Sequence, residues 1–360
     1  MISRKIFSQT VFFVVFVMVF QGRMEAQDRE NNFGPRTKKI TFVEQNPLVF
    51  HIIKSDTTMS HSRRTFLKNS ALAIPAVGLF PSELLAAFKK KGVVGIQLYT
   101  VREDMKNDPA GTLKKLADMG YVYVEHANYV NHKFYGYTAK DFKSLLDGLG
   151  LKMHSGHTSF GPGGWDEGKK DFTDAWKQTV EDAAIAGQRY VISPWLDESW
   201  RKTYDELLGY MDIFNKNGEL CKQHGMKFGY HNHDFEFSAV LNNQKVYDII
   251  LQHTDPALVA QQLDMGNLYN GGAVAAGIAL QYPGRFELMH VKDEIAATSG
   301  SEKYESTVLG EGIVNTKQVC DLGKKSGGTR YFIIEQESYQ GKAPLDCSKT
   351  DLEVMKKWGY

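Results

Sequence analysis

Downstream of Gly92, short apolar runs alternate with longer segments of helical period, and the alternation repeats eight times. Strand-like segments fall at 93–99, 121–126, 152–157, 190–195, 227–233, 258–264, 286–292 and 331–337. Helical segments between them include 109–119, 139–149, 170–186, 204–224, 272–281 and 316–325. Asp108 and Pro109 read as a helix cap and a first helical position. Parallel strands need a crossover between each pair, and eight such units suffice to close the sheet on itself. The expected fold is therefore α/β, a (β/α)8 barrel over residues 91–360.

The strand segments change character along their length. Most begin apolar or small, and their C-terminal ends turn polar or ionisable. Side chains two apart on a strand share a face, which directs Gln97 and Tyr99, Glu125, Ser155 and His157, Ser193 and Trp195, His231 and His233, Gln262 and Asp264, His290 and Lys292, and Glu335 and Glu337 into the barrel. Barrel interiors are normally filled with branched apolar residues, and catalysis sits at the C-terminal mouth. So many buried charges cost free energy unless they serve chemistry there.

His231, Asp264, His290 and Glu335 come from four adjacent strands and can face one point. Any one alone is more often a satisfied core histidine or a helix-capping carboxylate. As a set of two imidazoles and two carboxylates they suit Mn²⁺, Co²⁺, Fe²⁺ or Zn²⁺ better than Ca²⁺, with Mg²⁺ a further candidate. The strand 5 ligand stays open among His231, His233 and Glu236, the last beyond the strand end and on the opposite face from His231.

The strings Gly229-Tyr230-His231-Asn232-His233-Asp234-Phe235-Glu236-Phe237, Leu263-Asp264-Met265-Gly266-Asn267, His290-Val291-Lys292-Asp293 and Ile334-Glu335-Gln336-Glu337 resemble the sugar phosphate isomerase/epimerase superfamily, the xylose isomerase-like TIM barrels. The resemblance runs from about residue 92 to 360. It implies a metal-dependent barrel acting on sugars, sugar phosphates or inositols, with Asp264, His290 and Glu335 as ligands. Epimerases of that family commonly carry a metal-bound glutamate on strand 5, where this chain has His231. Half of a symmetrical carboxylate pair is thereby missing.

A base beside the metal is needed to remove a proton next to a carbonyl. Glu335 is the first candidate, followed by Glu337, His157 and Glu125, and Lys292 could hold a developing oxyanion or pair structurally with a glutamate. Gln97, Tyr99, His233 and Trp195 are expected to contact substrate, and the loop Gly161-Pro162-Gly163-Gly164-Trp165 to cover the site. The leading expectation is an isomerase or epimerase of a free sugar or keto-sugar. The alternatives are a lyase eliminating across a 3-keto-glycoside and a sugar-binding barrel without catalysis.

The first ninety residues read as targeting. Arg4 and Lys5 precede the apolar run 11–20, so residues 1–58 are expected to be a signal-like or overlong N-terminal extension without ordered structure. Ser62-Arg63-Arg64-Thr65-Phe66-Leu67-Lys68 and the apolar stretch 71–79 make 59–90 an expected twin-arginine export signal, with Met59 the expected start and a periplasmic destination. No stable membrane anchor is expected after cleavage. The net charge of +1 gives no basic face for nucleic acid. The three cysteines leave one bridge open, Cys221 to Cys320 or Cys320 to Cys347, and the sequence carries no signal for an oligomeric state.

Overall fold

The computed structural model describes residues 92–298, 300 and 302–360. The expected segments 1–58 and 59–90 lie outside the described residues. Eight strands form a closed barrel: β1 (Val93–Gln97), β2 (Tyr123–His126), β3 (Lys152–His157), β4 (Tyr190–Ser193), β5 (Lys227–His231), β6 (Val259–Asp264), β7 (Leu288–Val291) and β8 (Tyr331–Ile334). Each pairs in parallel with its neighbours in chain order, and β8 closes onto β1 with Val93 opposite Tyr331.

One main helix follows each strand: α1 (Pro109–Met119), α2 (Ala139–Gly148), α3 (Asp174–Ile185), α4 (Tyr204–Gln223), α5 (Val246–His253), α6 (Ala275–Gln281), α7 (Thr316–Leu322) and α8 (Pro344–Lys357). Local sequence starts them. Asp108 accepts from Gly111 N at 2.9 Å with Pro109 in the first turn, and Thr203 with Glu206 forms a reciprocal capping box on α4. The segments named from sequence omitted α5 and α8, and 316–325 divides into α7 and a π turn at Gly323–Gly327.

The apolar faces of the helices pack on the outside of the strands. Inside, Tyr123, Tyr190, Leu288 and Tyr331 fill the barrel floor. Gly95 makes this possible, because a Cβ there would lie 1.8 Å from the Tyr123 ring. Above the floor the interior turns polar, as the strand ends predicted.

β2, β3 and β6 end where expected, and the other five strands end one to three residues early. β1 stops at Gln97 and runs into a 3-10 turn at Leu98–Val101, β4 stops at Ser193, β5 at His231 and β8 at Ile334. Antiparallel hairpins follow β2 (Tyr129–Val130 with Lys133–Phe134), β3 (Trp165–Asp166 with Asp171–Phe172), β5 (Val240–Leu241 with Gln244–Lys245) and β7 (Asp293–Ala296 with Tyr304–Thr307). The disulfide alternatives are corrected: Cys221, Cys320 and Cys347 are all free and buried. Among the described residues no helix is long and apolar enough to cross a membrane.

Candidate metal centre

His231 at the end of β5, Asp264 at the end of β6, His290 on β7 and Glu335 just past β8 offer donor atoms within 4.8 Å of one another, and all four residues are buried. His231 Nε2 is 3.9 Å and His290 Nδ1 is 3.7 Å from Asp264 Oδ2. His290 Nδ1 is 3.1 Å from Glu335 Oε2. The strand 5 alternatives separate here. His233 and Glu236 stand outside this group, and Glu236 instead accepts from Tyr230 OH and from His233 N.

The residues beneath the cluster set the tautomers. Gln262 Oε1 lies 3.0 Å from His231 Nδ1, which leaves His231 Nε2 turned toward Asp264. Glu125 Oε1 lies 2.6 Å from His290 Nε2, which leaves Nδ1 to face the other ligands. A carboxylate behind a histidine is the usual arrangement for orienting a metal ligand. Burial would raise the Glu125 carboxyl, but His157 and His290 outweigh it and hold it at about 2.

A divalent cation fits these residues. Asp264 Oδ1 accepts from Gly266 N at 2.8 Å and Asn267 N at 2.6 Å, while Oδ2 is buried and has no hydrogen-bond partner. Burial raises the Asp264 carboxyl, and Glu335 adds to the rise against the opposing charge of Lys292. Burial pulls His290 down, yet Glu335 and Glu125 raise it to about 10. The pocket thus sets a buried carboxylate oxygen without a hydrogen bond among N and O donors of the kind that suit a transition metal.

Lys292 follows β7 and is 1% exposed. Its ammonium lies 3.3 Å from Asp264 Oδ2, 3.0 Å from Glu335 Oε2 and 2.5 Å from Glu337 Oε1, and it donates to Asn267 Oδ1 at 3.0 Å. Lys292, Glu337, His233, Asn267 and Glu294 line an open cavity of about 530 Å³, which reaches the cluster through Lys292 while the four candidate ligands themselves lie behind its lining. Sequence reasoning missed Glu294, Asn267 and Asn232. Glu294 is a largely buried carboxyl raised to about 8 by burial despite Lys292. Asn232 bonds the backbone of Asp264 in both directions, at 2.9 and 3.1 Å. The amide in Leu263-Asp264-Met265-Gly266-Asn267 was the available signal for Asn267.

Several expected roles change. Glu125, expected to be catalytic, is fully buried under the ligands, and Gln97, expected to touch substrate, is equally buried and donates to Glu125 at 2.9 Å. Tyr99 leaves the barrel on the 3-10 turn after β1 and lines a separate rim cleft, with Arg102 over its ring at 4.7 Å. His157 stacks on His290 with ring centres 5.1 Å apart and holds Gln262 Oε1 at 2.7 Å. Trp195 stands on the rim, and the glycine-rich loop borders the cleft beside Trp195, outside the residues that line the metal cavity.

A closed parallel barrel with a buried His/Asp/Glu cluster that could hold a metal at its mouth is the architecture of a barrel enzyme whose site lies at the C-terminal ends of the strands. The chain belongs to the Xylose isomerase-like TIM barrel family, which matches residues 113–358. Inosose dehydratase of Clostridium perfringens is 26% identical over 168 residues, 43% of this chain and 52% of that protein. The chain spans about half the length of the curated relatives it matches. A sugar phosphate isomerase/epimerase from Parabacteroides distasonis superposes with a TM-score of 0.64 at 26% identity, covering 74% of this chain and 98% of that one. The IOLI protein, solved with a zinc atom, shares the fold with a TM-score of 0.56 at 13% identity over 74% of this chain and 97% of that one.

Proposed function

We propose that this chain is a metal-dependent isomerase or epimerase that removes a proton next to the carbonyl of a sugar or keto-sugar. The observation that carries this reading is Lys292: a buried ammonium fixed between two ligand carboxylates and Glu337 on the cavity floor. It stands where negative charge would develop on a carbonyl oxygen, and preorganised charge of that kind lowers the barrier to such a step. His231, Asp264, His290 and Glu335 would hold the cation, which supplies a Lewis acid for the carbonyl; the zinc in the IOLI structure fits that donor set. Glu335 is buried, would be a metal ligand and meets both His290 and Lys292, whereas Glu337 meets Lys292 and keeps a side chain 42% exposed to the cavity, so Glu337 is the better base. Asn267 and Lys292 orient the substrate oxygens, and His233 faces the same cavity.

Elimination is the second reading. His231 replaces a carboxylate on strand 5, which suits one-sided proton removal followed by loss of a neighbouring group, and the inosose dehydratase relatives favour it. The two part on product analysis of metal-loaded protein with keto-sugars and 3-keto-glycosides in D2O. Carbon-bound deuterium without cleavage supports isomerisation. Release of water or of an aglycone supports elimination, and neither exchange nor release with any of these substrates contradicts both.

Export through the twin-arginine segment belongs to the same proposal, since that route carries folded, metal-loaded protein. Changing Arg63 and Arg64 together to Lys is expected to leave the precursor in the cytoplasm. Unchanged periplasmic recovery would contradict export by this route.

A further inference from the structure

A second cleft, about 650 Å³, opens beside the metal cavity, walled by the hairpin after β2, the glycine-rich loop after β3 and the loop after β4. Trp195 stands between the two. Trp195 is 41% exposed. It meets the His233 ring edge to face at 5.5 Å, and His233 meets the ring of the ligand His231 at 5.3 Å. His233 lines the metal cavity and Trp195 lines the cleft, so this pair forms their common border.

The walls are held in position. Ser193 Oγ donates to Trp195 O at 2.9 Å and accepts from Phe160 N at 3.1 Å, which fastens the loops after β3 and β4 to each other. Phe235 meets the indole at 5.7 Å, and Arg201 lies 3.8 Å above Phe235. On the opposite wall, Asn131 and His132 both adopt left-handed backbone, with φ of 51° and 57°, at a tight hairpin turn. Tyr129 pins that hairpin by donating to Asp182 at 2.5 Å. Such conformations in residues other than glycine cost free energy and persist where the surroundings fix them.

The rest of the lining is mixed: Asn131, His132, Ser159 and Asp197 bring polar groups, and Pro162 and Ala175 add apolar surface. One flat apolar face ringed by hydroxyl, amide, imidazole and carboxylate groups matches a sugar ring, which has an apolar face and a belt of hydroxyls. We propose that this cleft binds a second sugar ring. The preferred substrate is then a disaccharide or larger glycoside, its reacting unit at the metal and its distal unit on Trp195. This rests on the reading of the metal cavity as a carbohydrate site.

The test is calorimetric titration of the metal-loaded full chain with a panel of aldoses and ketoses and the disaccharides built from them. At least one disaccharide is expected to bind about tenfold more tightly than its parent monosaccharide. That ratio falls to about one in Trp195→Ala and persists in Trp195→Phe, which keeps a flat ring. Monosaccharide binding without a disaccharide advantage, or an advantage that survives Trp195→Ala, overturns the cleft and leaves the metal-site reading standing. Binding of no sugar at all overturns both.

Discussion

Glu125 has no solvent contact and four hydrogen-bond partners: Gln97, Ser155, Gln262 and His290. Every lone pair is spent on orienting other groups, so its work is to turn His290 Nδ1 toward the proposed metal site. Glu125→Gln keeps the shape and removes the charge. It is expected to weaken metal affinity by about 10–100-fold, the usual effect of losing such a partner. Chelator competition measures this, and unchanged affinity would contradict the assignment. The residue types of this network were legible because each lies at a strand end, and alternation directed Gln97, Glu125, Gln262 and His290 inward. Their depth was not legible, since a pattern of period two gives the face of a residue and not which neighbours lie beneath or above it. Beyond the last ladder bond alternation no longer governs. Tyr99 and Trp195 left the expected cavity for that reason, while Lys292 and Glu337, also past the strand ends, line it.

Among the elements, the hairpin after β7 builds one wall of the metal cavity and depends on Asp293. This buried carboxylate accepts from Glu294 N, Gly310 N, Gly312 N and Val314 N at 2.9–3.1 Å. Asp293→Ala strands four amides and is expected to cost about 3 kcal/mol. Denaturant unfolding reads this, and a loss under about 1 kcal/mol would contradict the anchoring role. On α8, Asp351 accepts from Leu309 N at 2.9 Å while its second oxygen is buried without a partner. Burial pushes its carboxyl up to about 7. An acid that holds its proton more tightly when folded favours folding below the unfolded value of about 3.9 and loses that benefit as pH rises toward 7. Asp351→Asn does not titrate. Its stability relative to the parent is therefore expected to improve by roughly 3 kcal/mol between about pH 4 and pH 7 and to level off above. A pH-independent difference in melting temperature would contradict this. Helices with clear caps were legible in outline, α1 at both ends. The hairpins were not, because their strands span two to four residues and carry too few side chains to show a period.

For the whole molecule, closure of the barrel makes the site. Residues from β5, β6, β7 and β8, separated by as much as 104 positions between His231 and Glu335, meet only because eight parallel strands return the chain to its start. That closure was legible because most units repeat the same apolar-to-polar gradient, and repetition fixes which strand ends share a mouth. The reaction was not legible, since isomerisation and elimination begin with the same proton removal and differ in what leaves afterwards. The central claim is the metal, and the direct measurement is elemental analysis of purified protein beside its Asp264→Ala and His290→Ala variants. About one equivalent of Mn, Co, Fe or Zn, lost from both variants while each keeps its fold by circular dichroism, is the predicted result. A chain that stays metal-free after reconstitution, or variants that keep the metal in full, would contradict it.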